Sequence, residues 1–315
     1  MKKIFYLITI IGLFSIACDP KKTNPEPTGP RLIFKFKFDS TQTRLNNFGN
    51  PSPLPKSGNW GLSPVFHTMS AHYIELAPDS LSPLGTGNVL YKATEVGSGS
   101  DLAIDFSKAK FAGNNEEFYS VPLKNLTPGS YKWLRVSLAY QNYDIKFLYK
   151  NDTLPSPYNV GMYDATVASF VGFNTYLTSY KVRDQTITVN GNKKQGYGAM
   201  ELFNLPAWFP AQLPTQFQAP ASATTVPNPI GNTSPIPLGS CVVTGRFGDA
   251  AGFTITGTET SDVIITVSLS TNKSFEWKDK NGDHLYQPLN SANNALIEDS
   301  VVDMGIRGLI PIVTQ

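Results

Sequence analysis

Apolar and polar residues alternate with a period of two along several stretches of this chain. Residues 32–38 read LIFKFKF, which places the phenylalanines on one face of a strand and the lysines on the other. Residues 134–140 and 143–150 alternate in the same way. A helix would scatter these apolar residues around its axis, because its period is 3.6. The alternation therefore predicts half-buried β-strands.

Further strand candidates share β-branched or aromatic residues bounded by turn formers. They are residues 66–76, 89–94, 165–172, 175–182, 185–190, 199–203, 241–247, 252–256 and 263–270. The chain holds 25 glycines and 24 prolines, which interrupt any long helix. The predicted fold class is all-β: an antiparallel β-sandwich, immunoglobulin-like or jelly-roll-like. Asn190-Gly191 and Asn281-Gly282 are predicted to form tight hairpin turns.

Residues 205–238 form a long proline-rich insertion in this pattern. Trp208, Phe209 and Phe217 are its large aromatic residues and its candidate binding residues. Residues 218–234 are nearly all small or polar, which predicts that this second half of the insertion is mobile. Loops of this length are uncommon, and many are functional. The segment is either a covering that lies on the sandwich or a loop that contacts a ligand or partner.

Composition excludes some classes of function. The net charge is +2 and no basic stripe appears, which argues against a nucleic-acid partner. The chain has three histidines, no G-x-S-x-G motif and no phosphate-binding glycine loop, so no catalytic residue is predicted. We therefore expect a protein that is not an enzyme, and an envelope hydrolase is the least supported alternative.

Asp279, Asn281 and Asp283 lie at positions i, i+2 and i+4 of a short polar segment. Oxygen ligands at this spacing can wrap a calcium ion, although the segment departs from the EF-hand loop, and Glu298 or Asp299 would have to supply a later carboxylate. The alternative is a plain hairpin between residues 275–278 and 284–287, which Asn-Gly explains without metal. Calcium is the one cofactor that these residues suggest.

His67, Met69 and His72 form a second candidate metal site. Imidazole and thioether ligands together favour copper. On a regular strand, however, His67 and Met69 share a face while His72 points away, so the three converge only if the strand is bulged. The alternative is that they are ordinary strand residues.

The N-terminus has the features of an export signal. Lys2 and Lys3 precede an apolar run that is shorter than the about 20 residues that a membrane-spanning helix needs. The run ends in Ser15-Ile16-Ala17-Cys18, which resembles the lipobox of bacterial lipoproteins, with Ser15 where that motif usually has Leu. The resemblance implies a signal peptide at residues 1–17 and lipidation of Cys18.

The predicted domain organisation follows from that processing site. Residues 18–30 form a flexible, proline-containing tether, and residues 31–315 form the β-sandwich domain with the insertion at 205–238. A lipid on Cys18 leaves Cys241 without a disulfide partner, and its apolar neighbours predict a small buried hydrophobe. Residues 301–309 are predicted to form a closing strand, in which Arg307 pairs with Asp303 or with a neighbouring strand.

Three segments are similar to the MbnP-like proteins, a family of exported β-sandwich proteins linked to copper handling. They are the phenylalanine strand at 32–38, the HYIEL stretch at 72–76 and PGSYKWLRVSL at 128–138. The similarity covers roughly residues 31–144. It implies a β-sandwich and makes Trp133, His67 and His72 the positions to test for copper.

The sequence as a whole predicts an exported lipoprotein of the bacterial cell envelope, anchored through its lipid to the outer membrane. Its expected role is non-enzymatic binding or surface presentation, with carbohydrate or another envelope protein as partner. A copper-binding or calcium-binding exported protein is the alternative.

Overall fold

The computed structural model describes residues 29–52, 55, 57–150, 154–209, 213–219, 227–248, 252–288 and 299–315. Cys18, the apolar N-terminal run and residues 18–28 of the expected tether lie outside the described residues. Within the described ranges, no helix is long and apolar enough to cross a membrane.

The described part of the chain forms twenty strands and three short 3₁₀ helices, with no α-helix among them. The 3₁₀ helices are Gly99–Asp101, Phe106–Lys108 and Leu123–Asn125. The strands are β1 (Arg31–Asp39), β2 (Asn59–Leu62), β3 (Val65–Ala77), β4 (Asn88–Lys92), β5 (Glu95–Val96), β6 (Ala103–Asp105), β7 (Glu117–Pro122), β8 (Gly129–Tyr131), β9 (Trp133–Lys150), β10 (Val160–Phe170), β11 (Thr175–Lys181), β12 (Thr186–Lys193), β13 (Tyr197–Phe203), β14 (Thr215–Gln218), β15 (Val242–Arg246), β16 (Phe253–Ile255), β17 (Val263–Ser270), β18 (Phe275–Lys278), β19 (Ser300–Asp303) and β20 (Leu309–Thr314).

These strands form five sheets. The front sheet has the order β20-β17-β1-β7, and the seven-stranded central sheet has the order β14-β13-β10-β9-β3-β4, with β15 also paired to β9. The back sheet is β12-β11-β6-β5, the small sheet is β19-β18-β2, and β16 pairs with β8. The predicted all-β sandwich is confirmed. Most pairs are antiparallel, but β1 runs parallel to β17 and β6 runs parallel to β11.

The main core lies between the front and central sheets. Leu32, Phe34 and Phe36 of β1 are fully buried in it, as the alternation of residues 32–38 predicts. On the opposite wall, Tyr143 and Phe147 of β9 are also fully buried. Fully burying one such side chain stabilises the fold by roughly 1.5–3 kcal/mol.

Strand β9 reverses the face that it buries part of the way along its length. Leu134 and Leu138, at even-numbered positions, point into the main core. Tyr143, at an odd-numbered position, points into the same core. The pairing with β3 skips a residue of β9 between Leu138 and Tyr140. Such a bulge shifts the alternation by one residue. Tyr140 therefore lies in a second core, beneath the back sheet with Phe170.

Neither Asn-Gly pair forms the predicted hairpin. Asn190 and Gly191 lie inside β12, where Asn190 has φ of +52° and the pairing register with β11 shifts. Strand β18 pairs with β2 and β19, and residues 284–287 form no strand. Both predictions were wrong because a bulge and tertiary strand pairing outweighed a local turn preference.

The described end of the proline-rich insertion is packed. Ile230 and Ile236 are buried against Val242 of β15. The Asn228 side chain donates to the carbonyls of Ile236, at 3.0 Å, and Pro237, at 3.4 Å. The prediction of a mobile half is therefore wrong for residues 227–234, which cover the outer face of the central sheet.

A cluster of buried charges joins the front sheet to the small sheet. Arg44, Glu276, Asp303 and Arg307 are each less than a tenth exposed. Arg44 Nη2 donates to Glu276 Oε1, and Arg307 reaches the same oxygen through Nε at 3.0 Å and Nη2 at 2.8 Å. Arg307 Nη2 also lies 3.4 Å from Asp303 Oδ2, which confirms the predicted pairing. We refer to these four residues as the ion cluster.

Glu276→Gln should destabilise the fold by about 3–5 kcal/mol, since it leaves two buried guanidiniums facing a single carboxylate. Lys37→Ala is the control, because the Lys37–Asp39 pair is partly exposed and should contribute less than about 1 kcal/mol. Urea unfolding of both variants measures the difference. Equal stabilities for Glu276→Gln and the wild type would contradict the role assigned to the cluster.

Candidate functional site

Two of the predicted binding residues, Trp208 and Phe209, belong to a cluster of aromatic rings. The Phe209 ring centroid lies 5.1 Å from that of Tyr149 and 5.5 Å from that of Tyr163. The Trp208 centroid lies 5.1 Å from that of Tyr158 and 5.6 Å from that of Phe209. We call these five rings the aromatic edge.

The aromatic edge extends from the hydrophobic core to the solvent. Tyr163 lies 6.2 Å, ring to ring, from Phe147, which is fully buried in the main core. Tyr149 pairs with Gly161 where β9 and β10 run side by side, so it and Tyr163 project from the same face. Phe209 covers these two rings and holds the Trp208 ring against the body.

Short turns hold the backbone of Phe209 and Tyr158 in place. The Phe209 N–H donates to the Pro206 carbonyl at 2.8 Å, and the Tyr158 N–H donates to the Pro155 carbonyl at 2.9 Å. Trp208 remains 38% exposed and Tyr158 43% exposed. Two exposed aromatic rings on a rigid support offer a binding surface that needs little ordering when a ligand arrives.

Phe217, the third predicted binding residue, lies elsewhere. It is on β14 opposite Gly198, where the aromatic ring leaves no room for a Cβ. It lines a cavity of about 400 Å³ between the central and small sheets. Among the described residues, Phe217 makes no ring contact with Trp208 or Phe209.

The side chains of the predicted calcium ligands form hydrogen bonds within their own loop. Asp279 accepts from the Gly282 N–H at 2.9 Å through Oδ1 and from the His284 N–H at 3.0 Å through Oδ2. Asn281 donates through its side chain to Asp283 at 2.8 Å. These bonds stabilise the loop without a metal.

Asp299 adds a third carboxylate beside this loop. It accepts from the Lys280 N–H at 3.2 Å and from the Gln287 N–H at 2.9 Å. Burial raises the pKa of Asp299, and the charges of Asp279 and Asp283 raise it further. Across the described ranges, no three His, Cys, Asp or Glu side chains are placed to hold a metal ion. Calcium binding stays a prediction.

The predicted copper ligands have separate partners. His67 Nε2 lies 3.0 Å from Asp144, His72 Nε2 lies 2.9 Å from Glu95, and Met69 is fully buried. The pairing of β3 with β9 shifts register at both histidines. Those bulges turn exposed His67 away from the buried side of Met69, so the expectation that the two share a face was wrong.

Trp133, the other position that the MbnP-like resemblance singles out, lies at the far end of the same strand pair. Its partner on β3 is Ala77, whereas Asp144, which binds His67, pairs with Val65. The structure therefore does not bring Trp133 to the histidines.

Cys241 packs against the main core but is only partly buried, so the prediction of a small buried hydrophobe is confirmed in part. It is a free thiol, and burial raises its pKa to about 12. A thiol of this pKa carries almost no thiolate at neutral pH and is a poor nucleophile.

Comparison with protein-family models, with curated proteins and with solved structures found no match to this chain in any of the three.

The tyrosines of the aromatic edge were not identified from the sequence. Tyr149 ends an alternating apolar face and was assigned to the core, and Tyr158 and Tyr163 carried no motif at all. Tyr149 and Tyr163 meet Phe209 because β9 and β10 pair over their full shared length. Tyr158 precedes β10 and contacts Trp208 instead. The sequence signal that could have identified them is the concentration of aromatic residues at and around residues 149–163.

His72 makes the stability of the protein depend on pH. Burial lowers its pKa from 6.5 to about 4, against the opposing effect of Glu95. Between these two pH values the unfolded chain binds the proton and the folded protein does not. The free energy of unfolding is therefore highest above pH 6.5 and falls as the pH drops towards 4.

From pH 7 to pH 5, the wild type should therefore lose about 2 kcal/mol more stability than His72→Gln, which has no imidazole to protonate. Urea titrations of both proteins at the two pH values measure this difference. Parallel losses in the two proteins would show that His72 does not cause the dependence.

Proposed function

We propose that this chain is an exported lipoprotein of the bacterial cell envelope, anchored to the outer membrane through Cys18, with a non-enzymatic binding role. The anchor is supported by the lipobox-like sequence that ends at Cys18 and by the polar, proline-containing segment that follows it. Two or more acyl chains on one cysteine would hold the body at the membrane essentially permanently.

We further propose that the aromatic edge is the binding surface and that its ligand is a carbohydrate. The observation that carries this proposal is the exposure of Trp208 and Tyr158 above rings that connect to the core. Their planes meet at 69°, so they form an angled ledge. Each ring can stack on the apolar face of a sugar, while the indole N–H and the phenol O–H can bond its hydroxyls.

Cys18→Ser should prevent anchoring in the outer membrane, because a serine offers no thiol for acylation. Cell fractionation should find the wild type in the outer-membrane pellet and the variant in soluble or inner-membrane fractions. Mass spectrometry of the wild-type N-terminal peptide should show acyl groups on Cys18. An unmodified thiol at that residue would refute the anchor and leave the binding proposal to be tested separately.

Trp208→Ala should weaken carbohydrate binding by about tenfold or more, as loss of a central tryptophan commonly does. The test measures binding to peptidoglycan fragments, lipopolysaccharide and capsular polysaccharide from the same cells. Trp60→Ala is the matched control, since Lys273 lies 4.0 Å over the Trp60 ring and His284 stacks at 3.7 Å. With its ring already covered, Trp60 should not contribute.

Two results would contradict the carbohydrate proposal. One is that none of the three glycans binds the wild type. The other is equal binding by Trp208→Ala and the wild type, with both proteins shown to be folded by circular dichroism. Capture of an envelope protein that depends on Trp208 while no glycan binds would assign the same surface to a protein partner instead.

A further inference from the structure

A second candidate site lies inside the molecule, between the central sheet and the small sheet. Its volume is about 400 Å³, within the roughly 300–1,000 Å³ typical of small-molecule sites. Val167, Met200 and Phe217 line it from the central sheet, and Phe275 and Val301 line it from the small sheet. Most of the described lining residues belong to paired strands, so this part of the wall is formed before any ligand enters.

The interior of this cavity is apolar. Among the described lining residues, polar side-chain groups belong to Thr215, Gln218 and Asp303 and to the phenol of Tyr286. Thr215 and Gln218 are exposed and lie on β14 at the sheet edge, whereas Asp303 is buried. A ligand would thus bury apolar surface against most of the wall and meet one charged group, the Asp303 carboxylate.

Asp303 is held in this wall by a bulge. Asp303 pairs with Glu276 and Val301 pairs with Trp277, which leaves Val302 as an extra residue of β19. Bulges of this kind redirect side chains and occur next to binding sites. The Asp303 carboxylate also accepts the Gly305 N–H at 2.9 Å, and this bond fixes its orientation.

The charges around Asp303 limit what the cavity can accept. The ion cluster combines two guanidiniums with two carboxylates, so it is neutral as a whole. An added charge in the apolar space would lack a counter-ion and be costly to bury. A carboxylate accepts hydrogen bonds and repels anions, which favours a ligand group that donates.

We propose that this cavity binds a neutral, largely apolar small molecule with a hydrogen-bond donor at the end that faces Asp303. The site goes beyond the carbohydrate-binding role, since Trp208, Phe209 and Tyr158 do not line it. Its ligand reaches the interior between two sheets, whereas a glycan would stack on the surface.

A matched pair of fluorescent probes tests the proposal. N-Phenyl-1-naphthylamine is neutral and apolar and has one N–H donor, and 1-anilinonaphthalene-8-sulfonate has the same skeleton with a negative charge. Both are titrated into the mature chain, residues 18–315, carrying Cys18→Ser, which has neither the lipid nor the apolar N-terminal run and needs no detergent. The neutral probe should saturate at one site per chain and bind at least tenfold more tightly than the sulfonate.

Variants localise the site. Val301→Trp fills the cavity and should weaken binding of the neutral probe at least tenfold. Thr215→Trp narrows the mouth from an exposed position, and it should have the same effect even if Val301→Trp fails to fold. Ile312→Ser is the control for adsorption to surface patches, since Ile312 is an exposed residue of β20, and it should bind like the parent chain.

Non-saturating fluorescence, equal affinity for the two probes, or unchanged affinity in a folded Thr215→Trp variant would each overturn the proposal. Carbohydrate binding by the aromatic edge is measured on different variants, so the failure of one proposal leaves the other standing.

Discussion

The ion cluster is the constraint on which one end of this molecule depends. Glu276 of β18 receives two guanidiniums, one from the segment after β1 and one from the segment before β20. Removing these charges from water costs several kcal/mol per ion, and good pairing geometry is needed to offset that cost. The backbone is tied at the same place, because Arg307 donates to the Ser270 carbonyl and accepts from the Leu45 N–H. The front and small sheets therefore meet in one register.

That register also shapes the cavity. Asp303 belongs both to the ion cluster and to the cavity wall, so the contacts that hold Arg307 also hold one residue of that wall. The aromatic edge is built differently. Of its two outer rings, Trp208 packs against Phe209 and Tyr158 packs against Trp208, while Phe209 rests on Tyr149 and Tyr163. One site is thus fixed by buried charge and the other by packed rings.

Bulges explain why local patterns failed where they did. The skipped residue of β9 changes the parity of the buried face between Leu138 and Tyr143, and the shifts in β3 separate His67 from Met69. The Asn190-Gly191 pair lies in a bulge inside β12, because pairing along the whole strand with β11 outweighed the local turn preference of Asn-Gly. Each failure is a one-residue change in register, which reverses every side chain that follows it.

The sequence by itself determined the all-β class and the positions of the longer strands, because alternation is a property of neighbouring residues. It indicated the pairing of Arg307 with Asp303. It also marked Trp208 and Phe209 as exceptional. Only the tertiary structure decided that Phe217 lines a cavity, that Tyr149 and Tyr163 pack on Phe209, and that β1 runs parallel to β17. These contacts join residues far apart in the chain, and no local period records which strand will lie beside another.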